Sequence, residues 1–458
     1  MSRQAGAIAH RTWTALGGDP ADLEAVRFVG EGGLPSVYPV TDFAAGAIAS
    51  AGLAIRELLR LRHPHAASTV MVDRRLASFW FGFSLRPLGW QPPPIWDPIA
   101  GDYRAADGWI RLHTNAPRHR AACERILGVQ TDRAGVAAAV ARWAKGELES
   151  AIVSAGGCAA EMRSTSEWKR HPQGRAVDRE PLAHLAHTAG APAPNWSLAT
   201  ARPLEGIRVL DLTRVLAGPV ATRFLAGYGA QVLRIDPRDW DEGAVIPEVT
   251  LGKRCARLDL RAAADREGFR RLLGEADVLI HGYRPGALDA LGFDSAARRD
   301  LAPGLVDISL DAYGWSGPWA ARRGFDSLVQ MSTGIAEAGM RWRKADHPVP
   351  LPVQALDHAT GYLMAAAAIR GLTRRLTDGA ATVARLSLAR TASVLIAARA
   401  NPGENPLAPE ALDDLASETE ETDWGAARRL RPPLVIAETP LRWDRPARML
   451  GTSPPDWS

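Results

Sequence analysis

The sequence predicts an α/β fold: an open parallel sheet with helices on both faces, and a smaller α+β unit beside it. Three observations predict it. Over residues 204–339, short apolar runs of the kind that form buried parallel strands alternate with helical patterns. Gly and Pro punctuate that stretch at a strand-to-helix turn, Gly218-Pro219. Upstream, Tyr103 to His113 reads as two short strands around an Asp107-Gly108 hairpin turn, with helical patterns following near 118–127 and 135–148.

Taken in order, residues 1–96 begin with a helical pattern near 23–28 and a Gly30-Glu31-Gly32-Gly33 run. Asp42-Phe43-Ala44-Ala45-Gly46 then leads into an Ala-rich helix, a turn at His63-Pro64-His65 and a strand-like alternation over 68–73. Residues 97–183 form the smaller unit, and 184–203 read as a polar, Pro-rich linker. The main unit spans 204–345. Its strands are expected at 206–213, 231–236, 277–280 and 305–310, and its first helix ends at Gly227 or Gly229.

Residues 346–400 repeat the pattern of the first unit. Asp357-His358-Ala359-Thr360-Gly361 opens an Ala-rich helix to Arg374-Arg375, and a turn at Asp378-Gly379 leads to a strand over 381–388. Asp42 and Asp357 lie 315 positions apart (357 − 42), so one supersecondary unit occurs twice. Residues 401–458 read as a return segment, acidic and loop-like over 401–423.

The bulk numbers narrow the function classes. A chain of 458 residues with 46% apolar and 23% charged residues has room for two or three cored units. Net charge is +4, and the basic residues are scattered arginines with only four lysines, which argues against nucleic acid as a partner. Cys123, Cys158 and Cys255 lack metal-ligand spacing, so no metal and no disulfide framework are expected. No apolar run is long enough to span a membrane and no signal core opens the chain, so the expected location is cytoplasmic. The sheet pattern suits a nucleotide-bearing ligand, yet neither G-x-G-x-x-G nor a P-loop lysine motif is present.

What stands after the first strand resembles the family III CoA-transferases, the superfamily that includes CaiB/BaiF proteins, formyl-CoA transferases and 2-methylacyl-CoA racemases. The words that carry the resemblance are Asp211-Leu212-Thr213-Arg214-Val215-Leu216-Ala217-Gly218-Pro219, Gly252-Lys253-Arg254, Tyr283-Arg284-Pro285-Gly286-Ala287-Leu288, Gly292-Phe293, Tyr313-Gly314 with Gly317-Pro318, and Gly324-Phe325-Asp326. Their order departs from the family's. The first half looks like the back part of a member, and the second half like the front part with its small unit missing.

The resemblance implies a Rossmann-like CoA-binding unit at 204–345, a homodimer, and CoA held as an acyl-CoA substrate by Val215, Leu216, Lys253, Arg254, Tyr283, Arg284 and Arg323. It also implies transfer of CoA from an acyl-CoA to a carboxylic acid through an aspartyl-CoA thioester. Leu216 stands where some members have glutamine, and Ala290 where an arginine often helps hold the nucleotide.

The catalytic candidates are Asp357 and Asp42. A carboxylate at the start of a small-residue helix faces the positive end of its dipole, which is expected to hold it ionised as a nucleophile. A helix cap explains the same placement. Asp357 follows the sheet unit, whereas Asp42 has none ahead of it and stands as a second site or a relic. The racemase alternative needs a histidine where Phe325 stands, and a phenyl ring moves no proton. A non-catalytic CoA-binding role is the third reading.

Overall fold

The computed structural model describes residues 2–64, 69–129, 132–398 and 405–458. Among these, the chain forms one seven-stranded sheet and three three-stranded sheets. The large sheet runs, edge to edge, Lys253–Arg257, Gln231–Asp236, Arg208–Leu212, Val278–His281, Val306–Asp311, Ala380–Ser387 and His184–Ala189. Neighbours are parallel until the last, which pairs antiparallel with Ala380–Ser387. The chain steps outward from Arg208–Leu212 in one direction, then returns to build on its other side from Val278–His281. That reversal opens a crevice at the carboxyl ends of these two central strands, where open α/β sheets take ligands.

Three expectations change. The stretch expected as a linker contains His184–Ala189, an edge strand whose side chains are half-buried to exposed. An edge strand buries little, so polar residues that read as loop are tolerated there. The acidic stretch contains Leu415–Thr422, which pairs with Gly425–Leu430, itself paired with Leu85–Pro87. The acidic strand is matched from the facing strand, where the Arg429 guanidinium donates to Glu420 at 2.7 Å. The helical pattern near 23–28 is a short 3-10 turn, Pro20–Ala25, followed by strand Val26–Val29.

The smaller unit packs Gly101–Ala105, Gly108–Leu112 and Ala159–Glu161 into an antiparallel sheet. Helices Pro117–Leu127, Arg133–Val140 and Lys145–Ser154 accompany it around a core that includes Ile110, Leu112, Val136, Leu148 and Ile152.

The two segments of similar sequence pattern have the same order of elements. Helices Val40–Arg60 and Ala355–Thr377 enter through residues of nearly the same conformation, Pro39 (φ −78°, ψ 66°) and Gln354 (φ −75°, ψ 64°). Each is followed by a strand and a short helix: Val70–Asp73 with Arg74–Trp80, and Ala380–Ser387 with Leu388–Ala397. The two long helices pack along each other, and the Arg370 guanidinium on one pairs with Glu57 on the other at 2.9 Å.

Each long helix is crossed by another at its glycine. Helix Arg3–Ala15 approaches Gly46, and helix Ala217–Gly227 approaches Gly361. The strand of each copy is also flanked by strands from outside both copies. Val70–Asp73 is flanked by Val26–Val29, parallel, and by the C-terminal Leu434–Ile436, antiparallel. Ala380–Ser387 is flanked by Val306–Asp311, parallel, and by His184–Ala189 from the first half, antiparallel.

Gly361 is held by this crossing. A Cβ there would strike the carbonyl oxygen of Ala217 and the Val220 side chain. On an open helix Gly→Ala gains about 0.5–1 kcal/mol. Here overpacking, which costs about 1–3 kcal/mol, outweighs that gain. Gly361→Ala is therefore expected to lower the urea midpoint of unfolding, and a midpoint that rises would contradict the crossing.

Candidate active site

A cavity of about 340 Å³ opens at the carboxyl ends of the central strands. Leu212–Gly218 and Gly282–Arg284 line one side, and Leu310–Ala312 with Leu388 another. The 320–325 loop, Trp240, Asp357 and, from the smaller unit, Arg118 and His119 complete the wall.

The turn after the first strand is strained. Val215 has φ 64°, a left-handed conformation unfavourable for a β-branched side chain. Its N–H donates to Glu242 at 2.5 Å, and Glu242 also accepts from Arg234 at 2.7 Å and from the Trp240 indole at 2.9 Å. The Trp240 loop thus fixes the turn. It also carries an aromatic face on which the Arg214 guanidinium lies, 4.8 Å from the ring centre, with Tyr283 5.5 Å away on another side.

Positive charge is concentrated here. Arg118, Arg214, Arg284 and Arg323 line the cavity without a carboxylate partner among the described residues, whereas Arg322 is taken by Glu149 at 3.0 Å. Burial, followed by Arg323 in both cases, pushes Arg118 and Arg284 below the usual guanidinium range. Four guanidiniums facing one hollow make a site for a multiply charged anion.

Asp357 sits in the first turn of Ala355–Thr377, buried, at the cavity wall. It is not the helix cap. That work falls to Asp326, at the start of helix Asp326–Thr333, which accepts from the N–H groups of Leu356 at 2.8 Å and Asp357 at 3.0 Å. The Gln330 amide also donates to Asp326. The Asp357 carboxylate itself meets no hydrogen-bond donor and no cation among the described residues.

The expectation that the helix dipole holds Asp357 ionised is therefore corrected. Burial, and then the Asp326 carboxylate, push Asp357 well above the usual carboxylate range. Asp326 is pushed up by burial to about 6, against its three donors. The donors on Asp326 favour its charged form, and Asp357 has none to do the same. His358 points elsewhere, its ring stacked 5.0 Å from Phe81.

Asp42 occupies the equivalent place in the first copy but does not line the cavity. Its carboxylate accepts from Arg74 at 2.8 Å and from the Ser2 hydroxyl at 2.7 Å, and is 2% exposed. It is not a cap either.

Residues 204–410 match the model of CoA-transferase family III. An acetyl-coenzyme A transferase of Hypoxylon pulicicidum is 34% identical over 191 residues, covering 41% of this chain and 32% of the relative. An acyl-CoA transferase of Gibberella moniliformis is 30% identical over 304 residues, covering 60% of this chain and 53% of the relative. A Mycobacterium tuberculosis protein of known crystal structure shares 30% identity and a TM-score of 0.41, over 43% of this chain and 58% of that one. The chain thus spans about a third to a half of the length of these curated relatives.

Of the residues the family III resemblance singles out, Val215, Leu216, Tyr283, Arg284, Arg323 and Asp357 meet at the cavity. Lys253 and Arg254 do not line it. The Lys253 ammonium is buried, 2.9 Å from Asp211 and 3.0 Å from the carbonyl of Pro219. Burial pushes Asp211 up, but Lys253 and then Arg234 hold it below the usual range. Arg254 pairs with Asp456 at 2.8 Å near the C-terminus.

Sequence reasoning missed Arg118, His119, Trp240 and the capping role of Asp326. Arg214 was within its reach, adjoining Val215 in the family III motif, and so was Asp326 in Gly324-Phe325-Asp326. Nothing in the sequence ties Arg118 and His119 to a strand almost a hundred residues downstream.

The two basic residues of Gly252-Lys253-Arg254 are therefore expected to behave differently. Lys253→Ala leaves Asp211 charged and buried, and is expected to lower the unfolding free energy by about 3 kcal/mol or more. Arg254→Ala removes a half-exposed pair and is expected to cost under about 1 kcal/mol. Urea denaturation of both variants checks this; equal small losses would contradict the buried pair.

Proposed function

We propose that the chain transfers CoA from an acyl-CoA to a carboxylic acid, with Asp357 as the nucleophile. The observation that carries this reading is a carboxylate with no hydrogen-bond or ionic partner among the described residues, at the wall of a cavity lined by four guanidiniums that have no carboxylate partner there. The family III match and the transferase names of its relatives support it.

The ionised Asp357 attacks the thioester carbonyl, and the C–S bond breaks to release CoA thiolate and leave an acyl–aspartyl anhydride. The thiolate then attacks the aspartyl carbonyl, releasing the donor acid as its carboxylate and forming aspartyl-CoA. An incoming carboxylate attacks that thioester, again expelling thiolate. The thiolate adds to the new acyl carbonyl, which regenerates the Asp357 carboxylate. One thioester replaces another, so the energy of the bond is conserved and no nucleotide is hydrolysed.

The guanidiniums of Arg118, Arg214, Arg284 and Arg323 take the phosphates of CoA, and Trp240 and Tyr283 supply aromatic faces beside them. The first half of the chain does within one polypeptide what a second subunit does in the family's interlocked dimers. It closes the cavity with Arg118 and His119 and lends the sheet its last strand.

Asp357→Asn keeps size and hydrogen bonding but removes the nucleophile, so exchange of labelled CoA between acetyl-CoA or succinyl-CoA and free acids is expected to fall by several powers of ten. Asp42→Asn, away from the cavity, is expected to keep turnover in the folded fraction while losing stability, because it breaks a buried pair. Reversed effects would move the nucleophile to Asp42. Arg118→Ala and Arg323→Ala are each expected to weaken CoA binding about tenfold or more, read by calorimetry; unchanged affinity in both would remove the guanidinium cluster from the site.

The pH dependence follows from the raised Asp357 carboxyl. Its reactive anion is lost as pH falls, so kcat/KM is expected to rise with pH through a value above that of an ordinary aspartate, about 4. A carboxyl raised in the folded state stabilises the fold below its unfolded pKa and loses that contribution as pH rises through its folded one. Asp357→Asn is therefore expected to unfold at a higher temperature than the parent at pH 8, with the difference gone near pH 3. A variant less stable than the parent at pH 8 would contradict the raised carboxyl.

A further inference from the structure

His119 is a cavity-lining side chain whose placement the anion site and the nucleophile leave unexplained. It lies in the first turn of helix Pro117–Leu127, next to Arg118. It is 1% exposed, and neither ring nitrogen has a hydrogen-bond partner among the described residues. A buried imidazole without partners forgoes at least one hydrogen bond, a cost of about 1–3 kcal/mol unless something else meets it. The imidazole lies at the cavity wall, and a small turn of its ring brings a nitrogen to a ligand there.

Its neighbours link it to the segment that carries Asp357. The His119 ring stands edge-on to Phe325 with centres 5.8 Å apart, and His113 stacks on the same phenyl ring at 3.8 Å. Phe325 directly precedes Asp326, whose carboxylate holds the N–H of Asp357 at 3.0 Å. The imidazole, Phe325 and Asp357 all line the one cavity. His119 is also uncharged. Burial first, then Arg118 and Arg323, push it down to about 4, so at neutral pH it carries one N–H and one bare nitrogen.

We propose that His119 is a catalytic residue of the smaller unit that donates its N–H to the thioester carbonyl oxygen of the bound acyl-CoA and to the oxyanion formed there when Asp357 attacks. This rests on the transfer reaction proposed above. A neutral imidazole held in place is a fitting donor, since it strengthens its hydrogen bond as charge develops on oxygen and gives up no proton. No covalent bond to His119 forms or breaks. Placing this donor on the smaller unit also means that the acyl-transfer site is complete only when that unit covers the sheet.

Two measurements test it. In the exchange assay, His119→Leu is expected to lower kcat by about 10²-fold or more with KM little changed, as for loss of one oxyanion donor. His119→Gln, which keeps an N–H donor, is expected to recover most of that loss. In the second, acetyl-CoA labelled with ¹³C at the carbonyl is bound to Asp357→Asn, which cannot turn it over, and its carbonyl stretch is read by infrared difference spectroscopy. The stretch is expected to lie below that of free acetyl-CoA and to return toward it when His119→Leu is added.

The inference is overturned if His119→Leu keeps kcat, if Gln is no better than Leu, or if the stretch does not respond to His119. Deuterium entering the α-carbon of the acyl group in D₂O, and lost in His119→Gln, would make His119 a base instead and also overturn it. Absence of exchange by the parent protein with acetyl-CoA and succinyl-CoA removes the transfer reading and this inference together. Exchange by the parent with silent His119 variants removes this inference alone.

Discussion

The site depends on one buried carboxylate, Asp326. By accepting the N–H groups of Leu356 and Asp357 it satisfies the start of the Ala355–Thr377 helix. Without it those donors would be buried unpaired, since neither the N-cap residue Gln354 nor Asp357 supplies a cap. Because the capping is done from the neighbouring helix, Asp357 is left with no structural duty. The same contact places a second carboxyl beside it, which adds to burial in pushing the Asp357 carboxyl up.

The duplicated unit supplies the frame. Two Ala-rich helices can lie close because alanine and glycine leave their backbones bare, and strands from outside the copies, His184–Ala189 and Leu434–Ile436, complete the two sheets. A buried cluster ties the parts further. Glu248 accepts from Ser84 of the first half, from Arg223 beside the sheet, and from Arg429 of the C-terminal segment. The two copies nonetheless have different fates. Asp357 faces a cavity, while Asp42 is closed off by Arg74 and Ser2. Only the second copy follows a full sheet, so only there do the carboxyl ends of strands open onto the helix start.

Much of this was legible in the sequence. The strands over 204–345, the hairpin at Asp107-Gly108 and the duplication rest on local patterns, and local patterns survive folding. The edge strand His184–Ala189 and the acidic strand Leu415–Thr422 were not legible, because an edge strand buries too little to show apolar alternation. Lys253 misled for a related reason. The resemblance puts it beside Arg254 among the residues that hold CoA, and only the tertiary fold brings the Asp211 carboxylate against it. The cavity itself was half legible. Val215, Tyr283, Arg284, Arg323 and Asp357 sit in recognisable words, whereas Arg118 and His119 reach the site from a unit far upstream.

The most direct test of the central claim is peptide mass mapping after the protein is incubated with acetyl-CoA or succinyl-CoA and quenched in acid. The account predicts a CoA thioester adduct on the peptide that contains Asp357, discharged by hydroxylamine, and no adduct on the peptide that contains Asp42. An adduct on Asp42, or none on either while CoA exchange proceeds, would contradict it.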